Sequence, residues 1–547
     1  MATMLSLPVE LTARLTQAAG IDPELRPATR PQFGHYQTNL ALRLAKAEGR
    51  PPREVAQRLV SQIDLADLCE PLEIAGPGFI NLRIRADVLA RVASQVLADP
   101  RAGIATTASP QTVVVDYSSP NVAKQMHVGH LRSTIIGDCF TRVLRATGHV
   151  VIPQNHIGDW GRQFGMLVEQ ILDEGMDVGG LDLAGAEALY QRANTHLNES
   201  DEFAGRSRDR VVALQAGDPE TRRIWQQLID ISLAGFNATY QRMNVLLTDA
   251  DLAGESIYNA DLAPVAEDLE TRGLAVVDAG ALVVFVEGFN APAIIRNAQG
   301  GFGYTCTDLA ALRHRVGTLH ATRLIYVVGT PQTHHFEQVF AVGRLAGYLP
   351  AGVLSEHVGF GQVLGTDGKK LSTREGNAVT LNSLLDAAEA EASPSVALAA
   401  IKYADLSSGL QKDYTFDAER MVATTGDTGP YLQYAHARVC QILRKAEAEN
   451  YAYSEVTVLT EPAEQTLALT LSRFGEIVDL VAETLQPHRL CGYLYELAGA
   501  LSAFYEQCPV LRSEGEVRTS RLALCAATRQ VLAAGLDLLG IEAPDRM

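Results

Sequence analysis

His127-Val128-Gly129-His130 lies between a β-branched run, Val113 to Val115 closed by Asp116, and a helical pattern from Leu131 to Leu144. A strand-to-helix turn of this kind puts backbone N–H groups and a helix N-terminus beside a crevice, where they can hold phosphates. Gly129 lets a nucleotide come close to the backbone. His127 and His130 can hydrogen-bond phosphate oxygens that gain charge when an α-phosphate is attacked. Taken alone, the tetrapeptide reads equally well as two histidines that cap a helix or face solvent. A second run, Gly368-Lys369-Lys370-Leu371-Ser372-Thr373-Arg374, sits in a loop with Gly and Asp. Flexible lysines there can close over a pyrophosphate leaving group and neutralise it, although paired loop lysines are by themselves an ordinary solvated surface.

The elements that must position these residues divide into three regions. Up to about residue 108 an amphipathic helix, REVAQRLVSQI, accompanies the Gly-punctuated strand segment EIAGPGFINLRI, and the small, polar stretch 101–112 reads as a linker. The second region, 109–425, opens on the Val113 strand. The apolar runs LVVFVEG at 282–288 and LIYVVG at 324–329 alternate with helical stretches, which predicts a parallel α/β sheet. Residues from about 175 to 280 are mostly helical and acidic, and read as an insertion into that sheet. From 426 to 547 apolar residues recur at three- and four-residue spacings, as in YLQYAHARVCQILRKA and TRQVLAAGLDLLGI, which predicts a helical bundle.

With 547 residues, 47% hydrophobic and 20% charged, the chain is expected to be soluble, globular and multidomain. No apolar run approaches the ~20 residues of a membrane helix, and the first residues lack a secretion signal, so a cytoplasmic protein with no membrane partner is expected. The seven cysteines form no CxxC pair, so neither zinc nor a disulfide framework is expected. A net charge of −18 argues against nucleic acid as a partner unless basic groups gather on one face.

The two signatures in this order resemble those of class I aminoacyl-tRNA synthetases. Further stretches resemble the arginyl-tRNA synthetases: Asp116-Tyr117-Ser118-Ser119-Pro120-Asn121-Val122-Ala123-Lys124, then Asn155-His156-Ile157-Gly158-Asp159-Trp160-Gly161, Gly303-Tyr304-Thr305-Cys306-Thr307-Asp308 and the ending Ala543-Pro544-Asp545-Arg546-Met547. The resemblance covers nearly the whole chain. It implies a Rossmann-type catalytic domain with a helical insertion, an α+β N-terminal domain that meets the tRNA elbow, and an all-α anticodon-binding bundle. It also implies a monomer.

Its implied chemistry is attack of the arginine carboxylate on the α-phosphate of ATP, with Mg²⁺ riding on the ATP. The arginyl group then passes to the 2′-hydroxyl of the terminal ribose of tRNA(Arg), and activation requires the tRNA. His127, Gly129, His130, Lys370 and Ser372 would hold ATP, and Lys124 and Lys370 would bracket the pyrophosphate. Asp116, Asn121, Glu255, Tyr304, Asp308 and Gln332 would hold arginine, because a guanidinium pairs bidentately with buried carboxylates. Tyr36, Asn39, Phe79, Tyr431, Tyr434, Arg438 and Met547 would meet tRNA. Without the resemblance, Asp308 reads as a helix-start acid favoured by the dipole and Glu255 as an exposed loop acid.

Two residues depart from the family pattern. Thr373 stands where the loop signature usually ends in a second lysine, and within the family a lysine before the histidine motif, here Lys124, accompanies that loss. His35 stands where the N-terminal motif commonly has Asp. Two other functions remain open to the sequence: another HxGH nucleotidyltransferase, for which a long helical C-terminal region has no use, and a non-catalytic RNA-binding paralogue, for which damaged signatures would be expected.

Overall fold

The computed structural model describes residues 6–28, 30–371 and 379–547. At its centre four parallel strands are ordered Leu354–His357, Arg323–Tyr326, Thr112–Asp116 and Val150–Gln154. Side chains alternate across a strand, and here each face has its own core. Val113, Val115 and Ile325 enter one cluster, while Val114, Leu324 and Tyr326 enter the other. This two-sided burial is why the run is valine throughout and not alternately polar. Helix Val128–Ala146 makes the crossover between Thr112–Asp116 and Val150–Gln154. The register aligns Asp116 with Gln154 and with Tyr326 at the carboxyl ends of the strands, the edge where open α/β sheets bind ligands.

The apolar run at 282–288 does not join this sheet. Strand Ala281–Val284 pairs antiparallel with Val276–Asp278 and Ala293–Arg296 in a separate three-stranded sheet. The deciding feature is local. Ala279 and Gly280 both take positive φ, 47° and 82°, the two-residue turn that closes a hairpin; a parallel strand would have needed a long crossover instead. The inserted region is built from helices Leu183–Glu199, Asp201–Ala216 and Pro219–Arg242.

The N-terminal region holds a four-stranded antiparallel sheet flanked by Leu40–Glu48 and Pro52–Gln62. Its last helix, Ala86–Ala98, packs against Pro462–Ser472 and Gly515–Leu538 of the C-terminal bundle. The bundle is fastened to helix Val128–Ala146 by a buried charge group. Arg142 binds Asp138 at 2.8 Å and Asp537 at 3.1 Å, and Lys402, fully buried, donates to the carbonyls of Asn244 and Gly540 at 3.1 and 2.9 Å. Removing one member would strand a buried charge. None of the described helices is long and apolar enough to cross a membrane.

Candidate active site

The segment from Tyr117 to Lys124 leaves the central strand and crosses the crevice in a strained path. Ser118, Ser119 and Ala123 take φ of 72°, 51° and 60°, a region costly for residues with a Cβ. Surrounding groups hold it there. The N–H of Ser118 donates to Ser133 Oγ at 2.9 Å, that of Ser119 to Asn155 Oδ1 at 3.1 Å, and that of Ala123 to Ser232 Oγ at 2.9 Å. Asn121 pairs with Gly158 in a short parallel bridge.

The strain delivers the chain to His127, which caps helix Val128–Ala146. The N–H of Gly129 donates to His127 Nδ1 at 3.0 Å, and the N–H of His127 donates to His130 Nδ1 at 3.1 Å. The ring centroids are 4.1 Å apart. Both Nδ1 atoms are therefore acceptors, so in each neutral ring the proton sits on Nε2. Burial, and then the neighbouring His127, push His130 down to about 3, and burial followed by Lys370 and Lys124 lowers His127. Near neutral pH the pair is thus two uncharged Nε2–H donors in fixed positions. Gly129 is required because a Cβ would lie 2.7 Å from His127 Cε1. The capping expected of lone histidines is present, and it is the device that orients the donors.

The lysine loop is brought to this point by backbone pairing. The N–H of Val128 donates to Val379 O at 2.9 Å and that of Leu381 to Met126 O at 2.8 Å, so the chain leaving the loop runs beside the histidine motif. Lys370, exposed, bridges Leu364 and is near enough to weaken the basicity of His127. Lys124 is half-buried, with its ammonium 4.0 Å from the ring centroid of Tyr190. Ser372 and Thr373 lie outside the described residues.

Asp159 and Asp308 lie near enough to Glu255 to act on its carboxyl. Asp159 accepts from the Ser256 N–H at 2.8 Å and from Ser256 Oγ at 2.6 Å, which pins the turn carrying Glu255. Burial, then Asp159 and Asp308, push the Glu255 carboxyl up to about 7. Asp308 binds His335 Nε2 at 2.6 Å. It lies one turn into helix Tyr304–Gly317, whose first turn holds no acid, so the helix-dipole explanation of Asp308 does not apply. Asn121, Glu255 and Tyr304 line one cavity of about 870 Å³ with Arg162 and Arg208. Tyr304 stands 78% exposed at its rim. Gln332, exposed, ends the short 3-10 turn after strand Arg323–Tyr326.

Asp116 departs from its expected role as an arginine ligand. Its Oδ2 accepts from Arg315 Nη2 at 2.6 Å and its Oδ1 from Ser119 Oγ at 3.1 Å, while Arg315 Nε donates to Gln154 at 2.6 Å. Buried and already paired with the chain's own guanidinium, it ties the sheet edge to the strained segment and is not presented to the cavity.

The surfaces expected to meet tRNA divide. Tyr36 is 3% exposed, so its ring is core and not contact surface. Asn39 is half-buried at the N-terminus of helix Leu40–Glu48, and Phe79 is half-buried on strand Phe79–Leu82. His35 Nδ1 accepts the Ile84 N–H at 3.0 Å, a structural use of the ring. In the bundle, Tyr434, Arg438 and Met547 share a cleft of about 750 Å³ with Arg444, Lys445 and Arg512. The Arg438 guanidinium lies 5.4 Å from the Tyr434 ring and 4.6 Å from that of Tyr505. Tyr431 packs against Tyr495, ring centroids 5.7 Å apart. A basic, aromatic cleft therefore exists within an acidic chain.

Among the described residues one group of possible metal ligands comes together, His436, Cys440 and Asp545. His436 Nδ1 is committed to the Pro544 carbonyl at 2.9 Å, and Cys440 Sγ lies 3.7 and 3.8 Å from the two ring nitrogens, facing neither. The group docks the C-terminal tail on helix Gly429–Ala448. Sequence reasoning missed Asp159, His335 and Tyr190 as site residues. Asp159 lay inside a recognised segment and His335 three residues past Gln332, whereas nothing in the sequence singled out Tyr190.

Residues 8–84, 92–418 and 432–547 match, in that order, the arginyl tRNA synthetase N terminal domain, the tRNA synthetases class I (R) catalytic domain and the DALR anticodon binding domain. The arginine–tRNA ligase of Cutibacterium acnes is 66% identical over 556 residues, with 100% of both chains covered. That of Thermobifida fusca is 48% identical, covering 96% of this chain and 95% of its own. The solved arginyl-tRNA synthetases of Plasmodium falciparum and Thermus thermophilus superpose with TM-scores of 0.84 and 0.82 at 27% and 28% identity, covering 100% and 99% of this chain and 100% of their own. With neutral imidazole donors ordered at a helix start, a cavity walled by Asn121, Glu255 and Tyr304 and whole-chain matches of this kind, the chain belongs to the class I arginyl-tRNA synthetases.

Proposed function

We propose that the protein activates L-arginine with ATP and transfers it to tRNA(Arg). The observation that carries this reading is Glu255 in the wall of the cavity shared with Asn121 and Tyr304, within electrostatic reach of Asp308, together with the ordered His127–His130 donor pair. Carboxylates at such a cavity suit a guanidinium, which offers a planar fork of donors. The arginine carboxylate attacks the α-phosphorus, the bond to the bridging oxygen breaks and pyrophosphate leaves. The Nε2–H groups of His127 and His130 hold the phosphate oxygens, while Lys124, Lys370 and the Ser372 region hold ATP, which enters as its Mg²⁺ complex. Asn121 and Gln332 hold the polar end of the amino acid. The terminal ribose 2′-hydroxyl then attacks the carbonyl carbon and AMP leaves. The N-terminal domain meets the tRNA elbow and the Tyr434–Arg438 cleft the anticodon. The protein works as a cytoplasmic monomer, and activation waits for tRNA. Arginine-dependent ATP–pyrophosphate exchange with and without tRNA, followed by charging of tRNA(Arg), tests the assignment.

Glu255 gives the reading a pH signature. Its carboxyl, raised to about 7, must ionise to pair with the guanidinium. The neutral form dominates below that value, so arginine affinity is expected to rise with pH, by up to ~10-fold between about pH 6 and 8, and then to level off. Calorimetry in buffers of different ionisation enthalpy should show proton release on arginine binding. An affinity flat over that range would mean that Glu255 is already ionised in the free enzyme.

Lys124 is expected to take the place of the lysine missing at position 373. Lys124→Ala should lower the activation kcat strongly with little change in ATP KM, because a cation on the leaving pyrophosphate matters most in the transition state. Thr373→Lys should restore part of the loss in that background and change the wild type little. Strictly additive effects in the exchange assay would end the compensation idea.

A further inference from the structure

Lys124 is held by the inserted domain. Its ammonium lies 4.0 Å from the Tyr190 ring centroid, and its neighbour Gln125 donates from Nε2 to Glu187 at 2.8 Å. Tyr190 and Glu187 are both on helix Leu183–Glu199, three residues apart and so on one face. One helix face thus grips two successive residues of the turn that leads into His127. The preceding backbone has no slack: Ala123 is fixed at φ 60° with its N–H on Ser232. Any change in where the ammonium points must come from the side chain.

Tyr190 is also part of the cavity wall, together with Trp160, Asn194, Arg162 and Arg208. Aromatic faces beside arginines are what unpaired nucleotides use, the bases stacking and the phosphates pairing. Lys124 covers one face of the Tyr190 ring, and a base that stacked on that face would displace it. Cation–π contact and base stacking are of similar strength, so an incoming nucleotide can displace the lysine reversibly.

We infer that Tyr190 is a positioning residue that stores Lys124 away from the phosphates, and that the unpaired acceptor end of tRNA releases it by occupying the ring. This rests on the tRNA-charging reading. Lys124 stands three residues before His127 in the same turn, and from its stored position it already weakens the basicity of both histidines. A single side-chain swing then couples the arrival of tRNA to stabilisation of the leaving pyrophosphate, with no bond made or broken in the release.

The test is arginine-dependent ATP–pyrophosphate exchange by the full chain, with and without tRNA(Arg), in wild type, Tyr190→Leu and Tyr190→Phe. Tyr190→Leu should raise the tRNA-free exchange kcat by ~10-fold or more, with ATP KM changed less than ~3-fold, because a lost storage contact acts on Lys124 and not on ground-state ATP binding. Tyr190→Phe keeps a ring face and should behave as wild type. The gain should vanish when Lys124→Ala is added, since the effect runs through that lysine. The inference is overturned if Tyr190→Leu stays as tRNA-dependent as wild type, if it loses both rates equally, or if wild type exchanges as fast without tRNA. Those outcomes leave the enzyme assignment standing. A wild type that fails to exchange even with tRNA removes the assignment and the inference together.

Discussion

Replacing His130 by Ala is expected to lower arginyl adenylate formation by ~100-fold or more, because one preorganised donor to the charged phosphate is lost. Single-turnover formation of the adenylate measures it directly. Two functions of the ring must be separated. His130 Nδ1 accepts the His127 N–H in the helix cap, and removing a cap costs about 1 kcal/mol of stability. His130→Asn, whose carbonyl oxygen can accept that N–H while its amide still offers donors, should recover much of the stability and only part of the rate. Since His130 is lowered to about 3, at saturating arginine the single-turnover rate should show no inflection from His130 near 6.5. In the folded protein His130 stays neutral until about 3. Its contribution to stability is therefore present above the ordinary histidine value of about 6.5 and is lost as pH falls below it. Normal activation by a well-folded His130→Ala would remove the phosphate role altogether.

Asp308→Asn is expected to raise the arginine KM by ~100-fold or more while the ATP KM changes little. A guanidinium facing an amide in a desolvated pocket loses roughly 3 kcal/mol or more of pairing, and each 1.4 kcal/mol is about tenfold. The substitution suits the test because the amide oxygen can still accept from His335 Nε2, the bond seen at 2.6 Å, so that contact is preserved. If arginine and ATP affinities fell together, Asp308 would be holding the fold and not the substrate. Steady-state kinetics with each substrate varied separately distinguishes the two results.

How far these sites could be read in the sequence depended on the range of the interactions that build them. The HVGH turn follows a buried strand directly and opens a helix, and its cap is formed between residues two and three apart; its place was therefore legible from local pattern. The run at 282–288 was misplaced because an apolar strand looks alike in either sheet, and the evidence against the parallel one lay in the turn at Ala279 and Gly280. Asp116 shows a different limit. Its family segment marked it as part of the site, but its partner Arg315 is 199 positions away, and nothing local shows that the carboxylate is already taken. Tyr36, expected to meet tRNA, likewise has its ring in the core.

Local propensities, cap and turn residues and the order of the recognised segments were determined by the amino-acid sequence alone, because each depends on neighbours within a few residues. The tertiary structure decided which charges meet. Asp159 and Asp308 come within reach of Glu255, Lys124 meets Tyr190 across 66 positions, and the cations around Arg438 gather into a basic cleft in a chain of net charge −18. Electrostatic energy depends on distance in space and on burial, and neither follows from separation along the chain until the sheets and helices have packed.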